Sequence, residues 1–331
     1  MVPFPKIGQY RGTVRAASHR GRPTLRFLGT PKLHGTNSSI VRMPDGEIRF
    51  QSRNRVLTGA SDHFGFVSHM TNAVGLTRLR ALIDEHVGVH PVPVVVYGEW
   101  CGLGIQQQVA ISEVAPLFAI FCVRVGVEED DTTWLDLREL TSLKSPEDRI
   151  FNVLQFASFE LDIDFTAPDQ ARDQLIAKTV EVERQCPAGA FFGVEGVGEG
   201  VVWRCVSEGF NDPAYWFKVK GEKHSVSRVK KLAPANVERM TSIESFLDSV
   251  LTEARMRQAT GWLVEQGHPL ARSSTGEYLR WLFGDILSEE SDTMEASGLT
   301  RKDIGGPLSH RARRWFFTWL DTEAIEADGQ E

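Results

Sequence analysis

The apolar rhythm of this chain changes once, and the change constrains the fold more than any other feature. Up to about residue 220 the apolar residues come in short, strand-sized runs; after Pro234 they return at helical spacing. Glu47-Ile-Arg-Phe-Gln-Ser52 alternates as a half-buried strand does, behind a Pro44-Asp45-Gly46 turn signal. Pro93-Val-Val-Val-Tyr97 is β-branched and continuous, as a fully buried strand is. Pro116–Val125, Gly200–Val206 and Tyr215–Lys220 read as further strands, and helices are expected near 66–86 and 167–185. Behind Pro234, Thr241 and Glu244 form a capping-box signature, followed by Ile243, Phe246, Leu247, Val250 and Leu251 at helical period. Further helices are expected near 255–266, 276–290 and 308–322. The expectation is a strand-and-helix domain over residues 1–233 and an all-helical domain over 234–331.

Composition excludes several classes. No apolar run is long enough to span a membrane, and no apolar signal-peptide core opens the chain. Cys101, Cys122, Cys186 and Cys205 lie far apart without a Cys-x-x-Cys pair, which argues against a zinc site or a disulfide framework and for a reducing cytoplasm. The net charge of −7 argues against indiscriminate nucleic-acid binding, yet it hides an asymmetry. Residues 1–44 hold no Asp or Glu, but carry Lys6, Arg11, Arg15, Arg20, Arg22, Arg26, Lys32 and Arg42. A second basic block covers 218–231, whereas 128–164 is acidic. Two basic blocks on an acidic chain point to a local polyanion surface, with a solvated charged face as the plainer reading.

Lys32 lies in Pro31-Lys-Leu-His-Gly-Thr-Asn37, a single amine at the mouth of a strand-loop-strand unit. A deprotonated lysine there can attack phosphorus, although an isolated lysine beside a glycine turn is more often a surface residue. Glu99 ends the most apolar strand, where a carboxylate is costly to bury unless it binds something, such as sugar hydroxyls. Phe118 and Phe121 suit a core by default and a purine platform as the alternative. Glu199 opens a strand behind Gly193, Gly196 and Gly198. Lys218 and Lys220 share one face of a strand; a phosphate between them would relieve their repulsion, and edge-strand protection is the plainer account.

In this order and spacing, the motifs resemble those of the covalent nucleotidyltransferases, and among them the RNA ligase 2 type of phage RNA ligases. The resemblance rests on Lys-Leu-His-Gly-Thr-Asn (32–37), Ser-Arg-Asn (52–54), Asp-His-Phe-Gly-Phe (62–66), Tyr-Gly-Glu-Trp-Cys-Gly-Leu-Gly-Ile-Gln (97–106), Leu-Phe-Ala-Ile-Phe (117–121), Glu-Gly-Val-Val (199–202) and Lys-Val-Lys (218–220). It implies an α+β nucleotidyltransferase domain of largely antiparallel sheets flanked by helices, followed by a small all-α domain. It also implies an ATP-dependent RNA ligase working through a lysyl-AMP intermediate on Lys32, with His34, Asn37, Arg53, Glu199, Lys218 and Lys220 in the catalytic set. Arg55 competes with Arg53 for the phosphate contact. Glu99 is expected on the ribose, Phe121 on the adenine, and Lys218 and Lys220 on the α-phosphate. Mg2+ or Mn2+ is expected, held by phosphates and water with Glu199 as the protein's contribution. Lys218 and Lys220 should also disfavour the charged form of Lys32. The implied partner is an RNA end in a nicked or structured RNA, met by a monomer in a bacterial or phage-infected cell. Arg311, Arg313 and Arg314 would let the helical domain hold that end.

The chain departs from the family at two places. Pro31 stands where many relatives have an acidic residue before the lysine, and Cys122 stands where many have Asp after the stacking phenylalanine. A DNA ligase or capping enzyme is disfavoured by the helical pattern after 234, where those append a small β-barrel. A non-catalytic RNA-binding module on the same fold is the other alternative.

Overall fold

Lys32 is the last residue of the nine-residue strand β1 (Thr24–Lys32), and almost everything near it is arranged by two sheets. The structure, a computed structural model, describes residues 1–128, 132–221 and 243–328. The chain divides into two units, Met1–Gly221 and Glu222–Glu331. The boundary expected near 233 and the capping residue Thr241 both lie outside the described residues.

In the first unit the remaining strands are β2 (Thr36–Arg42), β3 (Ile48–Ser52), β4 (Val56–Leu57), β5 (Val94–Cys101), β6 (Leu117–Val125), β7 (Thr133–Trp134), β8 (Ile150–Asn152), β9 (Phe159–Asp164), β10 (Gly200–Cys205) and β11 (Trp216–Lys220). One sheet has the order β11-β10-β1-β9, and its pairings are all antiparallel. The other runs β4-β3-β2-β5-β6-β7, with β8 joining β6 in parallel. This is the α+β arrangement of antiparallel sheets and helices expected from the motifs.

The larger sheet buries Ile40, Phe50, Val96, Trp100, Phe118 and Ile120 in the main core. Phe118 is therefore a core residue, 5.3 Å from the Phe66 ring. The sheet's other face carries Val41, Val95, Tyr97 and Cys122, which meet Phe4 and Trp216 of the smaller sheet's last strand. An N-terminal segment joins the sheets. The Val2 amide donates to Gln51 Oε1 at 2.9 Å, the Tyr97 hydroxyl donates to the Val2 carbonyl at 3.0 Å, and Gly8 bridges to Phe217.

Two further elements carry clear patterns of their own. Strand β9 lies in the segment recognised only as acidic, but Leu161 and Ile163 alternate with exposed Glu160, Asp162 and Asp164. The helix Tyr10–Ser18 lies in the first basic block and buries Tyr10, Thr13 and Ala17 on one face.

The second unit contains helices Ile243–Val250, Glu253–Glu265, Thr275–Glu289, Ser291–Ala296 and Arg301–Asp328. Phe246, Leu263, Tyr278, Leu282, Leu308 and Phe316 meet in its core. The last helix starts seven residues before the expected 308 and runs through Pro307. Proline sacrifices one backbone hydrogen bond there, but Ile304 and Leu308 on either side are fully buried, and that burial holds the turn.

Candidate active site

β1, β10 and β11 run side by side, with Lys32 opposite Gly200 and Gly200 opposite Lys220. Directly paired residues point to the same face of a sheet, so Lys32 and Lys220 project together. Lys218 lies one row farther along that face, opposite Val202. Between the two lysines stands Glu199. Its Oε2 is 2.6 Å from Lys32 Nζ and its Oε1 is 2.7 Å from Lys220 Nζ. His34 Nδ1 lies 3.5 Å from the same Oε2. Glu199 is 3% exposed. Burial alone would raise its pKa, but the Lys220 and Lys32 ammoniums, aided by His34, outweigh it and hold the carboxyl well below the usual range.

Lys32 does not face Lys220 directly. Glu199 is instead the shared counter-ion of Lys32 and Lys220 and stands between them. For the Lys32 amine to act on a phosphate, its 2.6 Å pair with Glu199 would have to open. Gly200 makes the geometry possible. Its φ is +147°, and a Cβ would collide with the Val219 carbonyl oxygen.

On the larger sheet, Asn37 lies opposite Glu99, and Glu99 opposite Ala119. The Gly35 amide donates to Glu99 Oε1 at 3.0 Å. A Cβ at Gly35 would strike the Trp100 carbonyl oxygen, so only glycine lets the Lys32–Asn37 turn approach this closely. The Glu99 carboxyl is pushed up to about 7, chiefly by burial and in part by Glu199; Lys32, Arg53 and the Gly35 amide oppose the rise. Arg53 is exposed and acts on Glu99, whereas the charge of Arg55 acts on His63. Asn37 Oδ1 is buried without a hydrogen-bond partner among the described residues.

Phe121 owes its orientation to a bulge. Tyr97 pairs with Cys122 but Gly98 pairs with Ile120, so Phe121 is the extra residue of β6. Bulges re-aim side chains, and Phe121 is half-buried between the sheets, 5.0 Å from Phe4. Cys122, in place of the family's Asp, is a buried thiol that burial pushes up and the Arg204 guanidinium pulls down.

The fold thus brings Lys32, His34, Glu199 and Lys220 into direct contact, sets Lys218 beside them, and places Asn37, Glu99 and Arg53 around the turn that follows Lys32. The chain matches the RNA ligase family model over residues 25–220, a span that contains every one of these residues. The chain belongs to the RNA ligase family. No curated protein matches it. Similar solved structures include variants of an RNA ligase from Naegleria gruberi. One with ATP and manganese is 15% identical with a TM-score of 0.46, covering 67% of this chain and 59% of the other. One with AMP and manganese is 15% identical with a TM-score of 0.45 over the same shares. The same ligase with pyrophosphate is 16% identical with a TM-score of 0.45, covering 67% and 58%. This RNA ligase family member therefore spans under two thirds of the length of those proteins.

The basic blocks are less uniform than they look in sequence. Arg42 is 4% exposed and paired with Asp84 at 2.8 Å, so it is structural. Arg26 is paired with Asp162 at 2.8 Å, and Arg20 donates to the Gly209 carbonyl. Most of the 218–231 block lies outside the described residues. No helix among the described residues is long and apolar enough to cross a membrane.

Proposed function

We propose that this RNA ligase family member is an ATP-dependent enzyme joining RNA 3′-hydroxyl and 5′-phosphate ends through a lysyl-AMP on Lys32. The observation that carries the proposal is the Lys32–Glu199–Lys220 arrangement: one amine, buried in part, in a cationic sheet face beside a carboxylate that can release it. Lys32 Nζ attacks the α-phosphorus of ATP; the N–P bond forms, the bond to the bridging oxygen breaks, pyrophosphate leaves, and the amine gives up its protons to solvent. Lys220, freed from Glu199, and Lys218 receive the α-phosphate oxygens. Glu99 accepts from the ribose hydroxyls, and Phe121 stacks on the adenine. Asn37 and Arg53 serve the phosphates during transfer. AMP then passes to an RNA 5′-phosphate, and a 3′-hydroxyl displaces it.

Among the described residues no group of three or more His, Cys, Asp or Glu side chains could hold a metal. A divalent cation, Mg2+ or Mn2+, fits here as a phosphate-borne ion to which Glu199 is the available carboxylate, and it would neutralise the triphosphate. The helical region 234–331 would hold the RNA end. Arg313 and Arg314 are exposed there, whereas Arg311 is paired with Asp248. We assign a monomer acting on nicked or structured RNA in the cytoplasm of a bacterial or phage-infected cell.

The test is incubation with ATP radiolabelled at the α-phosphate. The intact protein takes up label and Lys32→Ala does not. An unlabelled wild type sinks the ligase reading and favours an RNA-binding module. Nicked duplexes with RNA or DNA on each side in turn then identify the strand that is sealed; sealing of all-DNA nicks would favour a DNA ligase.

A further inference from the structure

The last helix, Arg301–Asp328, carries an aromatic array that has no task in the reaction above. Trp315 and Trp319 are four residues apart and so share one helix face. Their rings lie 6.0 Å apart and 7° from parallel. In the core behind them, the fully buried Tyr278 and Phe316 stack at 4.3 Å and 9°. The cross pairs, Tyr278 with Trp315 and Phe316 with Trp319, are 10° and 14° from parallel. In the first unit, by contrast, Phe50 meets Phe66 at 85° and Phe151 meets Phe192 at 88°, the edge-to-face contact of a closed core. Four rings in one orientation offer a flat face to a fifth, and Trp315 and Trp319 are only half-buried.

The same helix is cationic. From 301 to 320 it holds Arg301, Lys302, Arg311, Arg313 and Arg314 against Asp303 alone, and that carboxylate is engaged by Thr300. Arg311, one turn before Trp315, is paired with Asp248 at 2.5 Å. Arg314, next to Trp315, is exposed, and neither it nor Arg313 has an ion pair among the described residues. Flat rings beside unpaired cations match the two parts of a nucleotide, its base and its phosphate. The side chains of a protein partner would not call for a common ring plane.

We propose that Trp315, backed by Trp319, is a stacking platform for an unpaired base of the RNA, with Arg314 on the neighbouring phosphate. The inference rests on the ligase reading and names its substrate class: a break beside unpaired nucleotides, as in a cleaved loop, in preference to a fully paired nicked duplex. Every base has a stacking face, so the platform selects for unpaired nucleotides and not for sequence.

Affinity is measured without ATP for two fluorescent RNAs of equal phosphate count, a hairpin broken within its loop and a fully paired nicked duplex. Wild type should hold the broken loop about tenfold more tightly, as one stacked base predicts. Trp315→Leu keeps the apolar packing but offers no ring, and should lose that preference; Trp315→Phe should retain most of it. Arg314→Ala should weaken both RNAs alike and lower the salt slope by about 1. Thermal melting confirms that each variant is folded, and Trp315→Met replaces Trp315→Leu if it is not. The proposal is overturned if wild type does not distinguish the two RNAs, or if a folded Trp315→Leu keeps the full preference. It is also overturned if Trp315→Leu instead dissociates a dimer in sedimentation, which would make this face a contact between copies. Binding is read without ATP, so absence of AMP label on Lys32 would count against the ligase reading alone.

Discussion

Glu199 Oε2 lies 2.6 Å from Lys32 Nζ, and 167 residues separate the two in the chain. The carboxylate has a second ammonium, Lys220, on its other oxygen. One buried carboxylate thus engages both of the lysines to which the proposed reaction gives separate tasks. In the proposed reaction this pair opens before Lys32 attacks.

Replacing Glu199 by Gln leaves two ammoniums without their shared counter-ion. Both lysines keep some exposure, so the cost is below that of a fully buried pair, about 2 kcal/mol. Chemical denaturation measures it, and label uptake should fall at least tenfold. Because the Glu199 pKa is lowered on folding, its contribution is present above the unfolded value and is lost as pH falls through the folded one. Stability of the wild type between pH 6 and 8 should therefore owe nothing to titration of Glu199.

Glu99 has the opposite sign. Its pKa rises from 4.5 to about 7 on folding, so the folded protein binds the proton more tightly than the unfolded chain does. Stability contributed by the neutral form is full below the unfolded value and is lost as pH rises through about 7. Glu99→Gln should flatten this slope, recovering about 2–3 kcal/mol at pH 8 in the nucleotide-free protein. Denaturant midpoints of both proteins across pH 5–8 check it; parallel profiles would contradict the raised pKa.

Gly35→Ala should be among the most damaging small substitutions. The new methyl meets the Trp100 carbonyl oxygen, and the turn must retreat from Glu99. A loss of about 2–3 kcal/mol is expected from overpacking, with label uptake falling alongside. A melting temperature within a degree of wild type would refute the close approach.

In the helical unit, Arg255 is fully buried against Glu290 and Asp285, at 3.0 and 3.1 Å. Arg255→Ala strands a carboxylate that has no exposure and should cost about 3–5 kcal/mol. Melting of the full chain reports it. Label uptake by folded protein should be unchanged, since every assigned site residue lies in Met1–Gly221.

Removing residues 234–331 separates the proposed roles of the two regions. Self-adenylylation should persist, because the first unit has its own core and all the named site residues. Sealing of nicked RNA should fall sharply. Intact sealing by the shortened protein would refute the end-holding role of the helical region.

The strands that carry the site were legible because each states its own burial pattern. Val94–Cys101 is buried along its length except at Glu99, and Phe217–Lys220 alternates. Periodicity alone left Phe118 and Phe121 alike, and the family resemblance singled out Phe121 for the adenine; the structure adds the bulge at Tyr97/Gly98, which changes which residues face a side without changing composition. Arg204 was invisible in Gly-Val-Val-Trp-Arg-Cys because nothing local marks a strand arginine as facing an aromatic cluster from another sheet.

By itself the sequence determined the order of the motifs, the division into a strand-rich and a helical part, and the identity of the one lysine in the Lys-Leu-His-Gly-Thr-Asn turn. Those are properties of neighbours in the chain, set by side-chain period and turn chemistry. Only the tertiary structure decided that Glu199 stands between Lys32 and Lys220, that Arg42 is spent on Asp84, and that Arg204 meets Phe121. Each of these depends on strand register and on which sheet faces meet. A shift of one residue would turn each side chain to the other face and leave the local pattern unchanged.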